Sequence, residues 1–471
     1  MTFEWWSIIP FVTMLAGIAV FPLVPKTAHL WEKRGIQLAF ALILGVPVAL
    51  WLWFGGEQVT VIHKLWEYVQ FIVLLFSLFV VSGGLFMKGD VEATPRNNAI
   101  FMGVGGVLAS FIGTTGAAML LIRPLLNTNK QRTHRVHTVV FFIFVVANCG
   151  GLLTPLGDPP LFMGFLSGVP FEWTFQLWPM WLFVNSILIL TYLALDVRLH
   201  RTEPPTALVS DRTHVEPIGF RGAINFAFLA MIVLAVAFVP SIDLHALETG
   251  TATFFQSVPW REIVMLTAAA LSFVLTSKKV RFTDNEFEWG PIAEVAALFI
   301  GIFLTMMPAL KFLAQVAPSL PLNAPTFYGF SGTLSAVLDN TPTYLTFFEM
   351  ARELPGEPRV AGVPEAYLIA ISLGSVFFGA VTYIGNGPNF MVKSVADSRG
   401  VTMPSFMGYI GWAIRYLLPT LIAVLFIFIF QETWALVVGI TITAVLVGRA
   451  VVTLMRKAPP VPADQSAGVE A

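Results

Sequence analysis

Charge is scarce in this chain. Only 12% of its 471 residues are Asp, Glu, Lys or Arg, against about a quarter in ordinary globular domains. So few charges cannot cover a water-facing surface, and a soluble globular protein is excluded. Cysteine is scarcer still: Cys149 stands alone, so no intrachain disulfide can form. The formal net charge of −1 gives no ground to expect a nucleic-acid partner. The sequence lacks a phosphate-binding loop, a zinc signature, Gly-x-Ser-x-Gly and His-Glu-x-x-His. Neither an enzyme nor a bound cofactor is expected. The seven histidines (29, 63, 134, 137, 200, 214 and 245) read as loop and surface residues, His134 and His137 included. The N-terminus has no basic stretch and no small-residue cleavage site, so it reads as a retained first span.

What the chain does have is apolar length. Hydrophobic residues make up 56% of it, in runs of the roughly 20 residues that cross a bilayer as a helix. Runs at 5–24, 35–54, 66–87, 138–168, 172–196, 219–239, 261–276, 292–312, 366–397, 405–430 and 433–455 predict an all-α polytopic membrane protein with about eleven crossings. Two further stretches, 98–126 and 326–351, have polar, glycine- or proline-bearing centres and read as re-entrant hairpins. With the hairpins not crossing, the basic loops around Lys26, Lys33, Lys130, Arg198, Arg212, Lys278 and Arg456 share one side. By the positive-inside rule that side is cytoplasmic. The expected location is the cell (inner) membrane, with the N-terminus outside and the C-terminus cytoplasmic.

The chain also repeats itself. A shift of 228 residues lays Gly151, Thr154, Gly157, Pro160, Phe162 and Met163 on Gly379, Thr382, Gly385, Pro388, Phe390 and Met391, with Asp158 on Asn386. A shift of 226 lays the tip Gly113-Thr114-Thr115-Gly116 on Asp339-Asn340-Thr341-Pro342. An odd number of crossings separates the copies, so the second is inverted. The expected divisions are a first repeat 1–200 (hairpin 98–126, broken helix 138–168), a cytoplasmic linker 201–218 and a second repeat 219–430 (hairpin 326–351, broken helix 366–397). An extra helix 431–457 and a disordered tail 458–471 follow. Inverted repeats with interrupted helices at matching places are the pattern of secondary transporters.

Each interruption leaves backbone groups unpaired, which survives at membrane depth only in protein or beside water. Asp158 precedes Pro159 and Pro160, and Asn386 precedes Gly387 and Pro388, so both sit at helix starts. An ionised carboxylate at bilayer depth costs about 2.5–3.5 kcal/mol, more than Asn or Ser would for the same capping. Asp158 and Asp339 are therefore read as carboxylates that bind Na⁺ or exchange H⁺. Thr114, Thr115, Asn148, Thr154, Gly157, Asn340, Thr341, Thr382, Gly385, Asn386 and Asn389 are the candidates for the surrounding oxygen and backbone ligands, which is what a hard cation needs. Arg123 and Glu349 lie at equivalent places past each tip, either as anchors or as counter-charges.

At these residues the chain resembles the ion transporter superfamily, which includes divalent anion/sodium symporters, citrate carriers, arsenite permeases and NhaD-type sodium/proton antiporters. The resemblance rests on the tips Gly113-Thr114-Thr115 and Asp339-Asn340-Thr341 and the breaks Gly157-Asp158-Pro159-Pro160 and Gly385-Asn386-Gly387-Pro388. It implies that tip and break together bind Na⁺, that substrate lies between the halves, and that the protein is a homodimer. No tip serine is present and Asp occurs in both halves, so the chain looks less like a dicarboxylate symporter and closer to the antiporter branch or to the carriers often described as citrate carriers; the first expectation is a sodium/proton antiporter. The alternative is a carrier for citrate or another small carboxylate coupled to Na⁺ or H⁺. A pair of buried aspartates acting as a protease dyad is the reading from a different class, and the placement of both on ion-binding elements speaks against it.

Overall fold

The computed structural model describes residues 3–22, 24–31, 33–213 and 215–456. His214, Lys457 and the tail 458–471 lie outside the described residues. The described chain is mostly helix. Six helices are long and apolar enough to cross a membrane, at Arg34–Phe54, Gln58–Ser82, Phe171–His200, Gly290–Ser319, Phe406–Ile429 and Thr433–Met455. Shorter apolar helices at Trp5–Val20, Val136–Leu152, Ile224–Phe238 and Glu365–Val381 lie between them.

Both sequence-predicted hairpins are helix pairs. In the first, Pro95–Ile112 turns back into Thr114–Thr128 at Gly113, whose φ of +81° favours glycine. Thr94 caps its first arm by accepting the Asn97 N–H, with Pro95 at the helix start. In the second, Ala324–Ser335 is opened by a reciprocal Asn323–Thr326 capping box, and Asn340–Arg352 returns. Each hairpin is followed by a helix that stops and restarts. Val136–Val145 continues through a 3-10 turn Cys149–Leu152, breaks, and resumes at Pro159–Leu166. Glu365–Phe378 continues through Gly379–Val381, breaks, and resumes at Gly387–Ser398.

The helix Gln58–Ser82 packs against Gly290–Val316, with Phe71 stacked on Phe299 at 4.9 Å between centroids and Tyr68 donating to the Ala296 carbonyl at 2.8 Å. Its far end is tied down by buried Arg281, which donates to the carbonyls of Val80 and Ser272 and lies between the rings of Phe273 and Phe287, 5.3 Å from each. A guanidinium at two helix C-termini satisfies orphan carbonyls and complements both dipoles.

Two features depart from the sequence reading. The linker 201–218 is not a plain loop. It contains a helix, Pro205–Thr213, and the start of a strand, Glu216–Arg221, that runs past it and pairs antiparallel with Phe86–Asp90 just before the first hairpin. The span expected at 219–239 accordingly begins at Ile224. His137, read as a surface histidine, is only 2% exposed and bonds Asp196 at 2.8 Å. Asp196 also accepts from Arg132 and from Tyr192 at 2.8 Å, while Glu203 accepts from the backbone of Thr133 and His134. Burying these charges is tolerable because each is paired. His63 also lies on a helix, not a loop, and pairs with Glu248 at 2.9 Å.

Candidate functional site

The two breaks and two hairpin tips meet at Asp158. Its carboxylate is 1% exposed. Although it occupies the start of helix Pro159–Leu166, it makes no capping bond. One oxygen accepts from the Thr114 hydroxyl at 3.0 Å and the Asn386 amide at 3.2 Å; the other accepts from the Asn340 amide at 2.5 Å. Thr114 opens the return arm of the first hairpin, Asn340 that of the second, and Asn386 sits at the break of the second broken helix. One carboxylate thus collects donors from both halves of the chain.

An amide belt extends the centre. Asn386 also donates to Asn148 Oδ1 at 3.1 Å, Asn148 donates to Asn389 Oδ1 at 2.6 Å, and Asn389 donates to the carbonyls of Gly379 and Thr382 at 2.7 and 2.9 Å. Thr154 and Thr382 hold the breaks open. Each hydroxyl donates to a carbonyl of its own hairpin, Ser110 and Ala336 respectively, the latter at 2.6 Å. Each accepts backbone N–H groups from its own break, Leu156 for one and Ile384 and Gly385 for the other. The Gly157 carbonyl receives the Thr114 N–H at 2.8 Å, joining first break to first tip.

Asp339 is placed differently. Its carboxylate caps its own helix by accepting the Thr341 N–H at 3.0 Å, and it is part-exposed. Thr341 lies beside Asn340, 3.5 Å from its amide oxygen. Thr115 is half-buried, and it is Thr114 that reaches Asp158. Gly385 backs onto the Gly379 and Ser335 carbonyls. Arg123 and Glu349 are not brought to the centre: Arg123 pairs with Glu286 at 3.3 Å and Glu349 with Arg352 at 3.3 Å. The sequence reading missed Ser110 and Asn185. Ser110 donates to the Gly150 carbonyl and Asn185 to that of Cys149 at 3.3 Å, steadying the first break. A lone Asn in the apolar run 172–196 was the available signal for the second of them.

A cavity of about 740 Å³ opens away from this centre, at the start of helix Gln58–Ser82 and the end of Gly290–Val316. Glu57, Lys64, Lys311, Glu349 and Arg352 line it. The Lys311 ammonium, 2.5 Å away, and the Thr60 hydroxyl hold the Glu57 carboxyl below its usual range.

Many apolar helices, two of them interrupted, enclosing one buried carboxylate fed from both halves, define a multi-pass membrane transporter. The chain belongs to the family described as "Putative citrate transport", which it matches over residues 1–429. It is 23% identical to an uncharacterized transporter of Mycobacterium bovis over 356 residues, covering 70% of this chain and 78% of that one. It is 23% identical to a 46 kDa membrane protein of Mycobacterium leprae, covering 76% and 85%. It is 22% identical to the inner membrane protein YbiR of Escherichia coli, covering 74% and 88%.

Proposed function

We propose that this protein is a sodium/proton antiporter of the inner membrane that exchanges Na⁺ and H⁺ at Asp158. The observation that carries this is the environment of that carboxylate: buried, not spent on capping, and, among the described residues, hydrogen-bonded by one hydroxyl and two amide groups drawn from both halves. Those side chains have oxygens that suit a hard cation once their amides turn. No Lys or Arg bonds Asp158 among the described residues. A carboxylate there can hold a proton or a metal cation, and competition between the two is what couples their movements. The matching order of hairpin and broken helix in each half supports two inverted repeats, about eleven crossings and alternating access. The basic loops support a cytoplasmic C-terminus. The homodimer rests on the family resemblance alone.

A second reading, a citrate or other carboxylate carrier coupled to Na⁺ or H⁺, is favoured by the family's description. In it Asp158 would bind the coupling cation and the carboxylate would sit against the half-helix N-termini. Everted vesicles with an imposed pH gradient separate the two. Antiport requires Na⁺ or Li⁺ to dissipate the gradient at some pH, and failure at every pH removes it. Uptake of labelled citrate, with none of that dissipation, would establish the carrier instead. The capping bond of Asp339 adds a contrast: Asp339→Asn preserves a cap of equal strength and is expected to keep transport within about threefold of the parent. A loss as deep as that of the corresponding change at Asp158 would return Asp339 to the ion-binding set.

A further inference from the structure

The helices Gln58–Ser82 and Gly290–Val316 form one wall, packed against the hairpin return arms and the half-helix Pro159–Leu166 that build the site; the line where they meet is the seam. At one end the seam gapes into the 740 Å³ cavity. The charges there pair within their own side: Lys64 with Glu67, Lys311 with Glu57, Arg352 with Glu349. Among the described residues no ion pair crosses the seam at that end.

The other end, which carries the basic loops, is packed. Half-buried Met119 of the first hairpin lies there against the cluster Phe79, Val80, Ala269, Phe287 and Ile292. Glu286 accepts from Arg123 at 3.3 Å and from Arg399 at 3.2 Å. Arg123 belongs to the return arm of the first hairpin, and Arg399 directly follows the second broken helix. Glu286 belongs to the opposite wall. Its neighbour Asn285 donates to the Gly83 and Leu85 carbonyls, and Phe287 packs on Phe79 and donates its N–H to the Arg281 carbonyl at 3.0 Å. A single side chain on a pinned loop therefore ties elements of both halves across the seam by ion pairs, and among the described residues such pairs occur at this end and not at the vestibule.

We propose that Glu286 is a gate latch, whose two ion pairs hold the basic-loop face closed while the opposite vestibule stands open and must break before the site opens to the basic-loop face. The pairs suit that duty. Glu286 is 56% exposed, and water-exposed pairs are individually weak and screened by salt, so the latch holds without locking. The inference holds for an antiporter or a carboxylate carrier alike, because it concerns access and not cargo.

Its test needs no transport assay. A reporter thiol is placed by Met119→Cys in a Cys149→Ser background, and its reaction with a maleimide is timed on purified protein in detergent, where both faces are reachable. Adding Glu286→Gln is expected to raise that rate about three- to tenfold, the population shift that two exposed pairs can hold. Arg399→Gln should raise it less, since one pair remains. Leu121→Cys, on the same arm but packed on Gly105 within its own hairpin, should be unaffected. Equal rates at Met119→Cys with and without Glu286 would overturn the latch. So would a parallel rise at Leu121→Cys, which would mean general loosening of the hairpin.

Discussion

Asp158→Asn is expected to leave a folded, membrane-inserted protein that transports roughly ten- to a hundredfold more slowly. The substitution conserves size, and Asn is as good a helix cap as Asp, so a capping role predicts no effect. The structure removes that role, because Asp158 makes no capping bond and turns both oxygens to Thr114, Asn340 and Asn386. A charge-assisted interaction is worth about 1.5–3 kcal/mol, and its upper end corresponds to roughly a hundredfold in cation occupancy. Replacement by Asn also removes a titratable carboxylate that groups of both halves contact. The measurement is transport in vesicles, normalised to the amount of protein eluting as a single species in detergent. A variant that elutes normally and transports at the parental rate would show that the carboxylate is dispensable.

Gly157→Ala should fail earlier, at folding. A Cβ on Gly157 would lie far inside contact distance of the Gly151 carbonyl oxygen, 2.7 Å from its carbonyl carbon and 3.0 Å from its Cα. All three are backbone atoms of the 3-10 turn Cys149–Leu152 that leads into the break, so no side chain can swing aside. The Gly157 carbonyl also receives the Thr114 N–H, and moving it would part the first break from the first tip. Overpacking of this kind costs about 3 kcal/mol or more when backbone must shift. Gly387, at the start of the last half-helix, has nothing within 4 Å of its would-be Cβ, so Gly387→Ala is the matched control and should be nearly neutral. Thermal unfolding in detergent compares them. Equal midpoints would mean that the break relaxes far more easily than its packing implies.

Much of the architecture was legible because membrane segments are constrained by length and by backbone satisfaction. The hairpin expected at 98–126 is Pro95–Thr128, and that expected at 326–351 is Ala324–Arg352. The span expected at 66–87 begins instead at Gln58. Polar His63 and Lys64 hid its first two turns, and they sit on a helix because they line the cavity and not lipid. The ribbon between Phe86–Asp90 and Glu216–Arg221 was illegible because neither FMKGD nor EPIGFR carries a strand pattern; only pairing with a distant segment makes it one.

The site divides the same way. Composition at the breaks and tips named Asp158, Asn340, Asn386 and Thr114, and the structure brings these together. Sequence could not separate Asp158 from Asp339, since both precede a helix start and only the side-chain direction differs. Nor could it send Arg123 to Glu286, a residue in a loop between two later helices. Asp196 was hidden by position: the end of an apolar run reads as an interface, yet here it is the acceptor for Arg132, His137 and Tyr192.

The small ribbon has a consequence for biogenesis. Phe86 pairs with Arg221 and Lys88 with Gly219, so the strand that leads into the first hairpin has no partner until the ribosome has made the whole first half and the connection beyond it. Until then that hairpin, whose tip supplies Thr114, hangs from an unpaired strand. Inserted chains truncated before residue 216 should therefore leave the first hairpin sensitive to proteases, and chains extended past the ribbon should protect it. Order of synthesis, and not only final packing, then decides when the first half of the Asp158 centre can take shape.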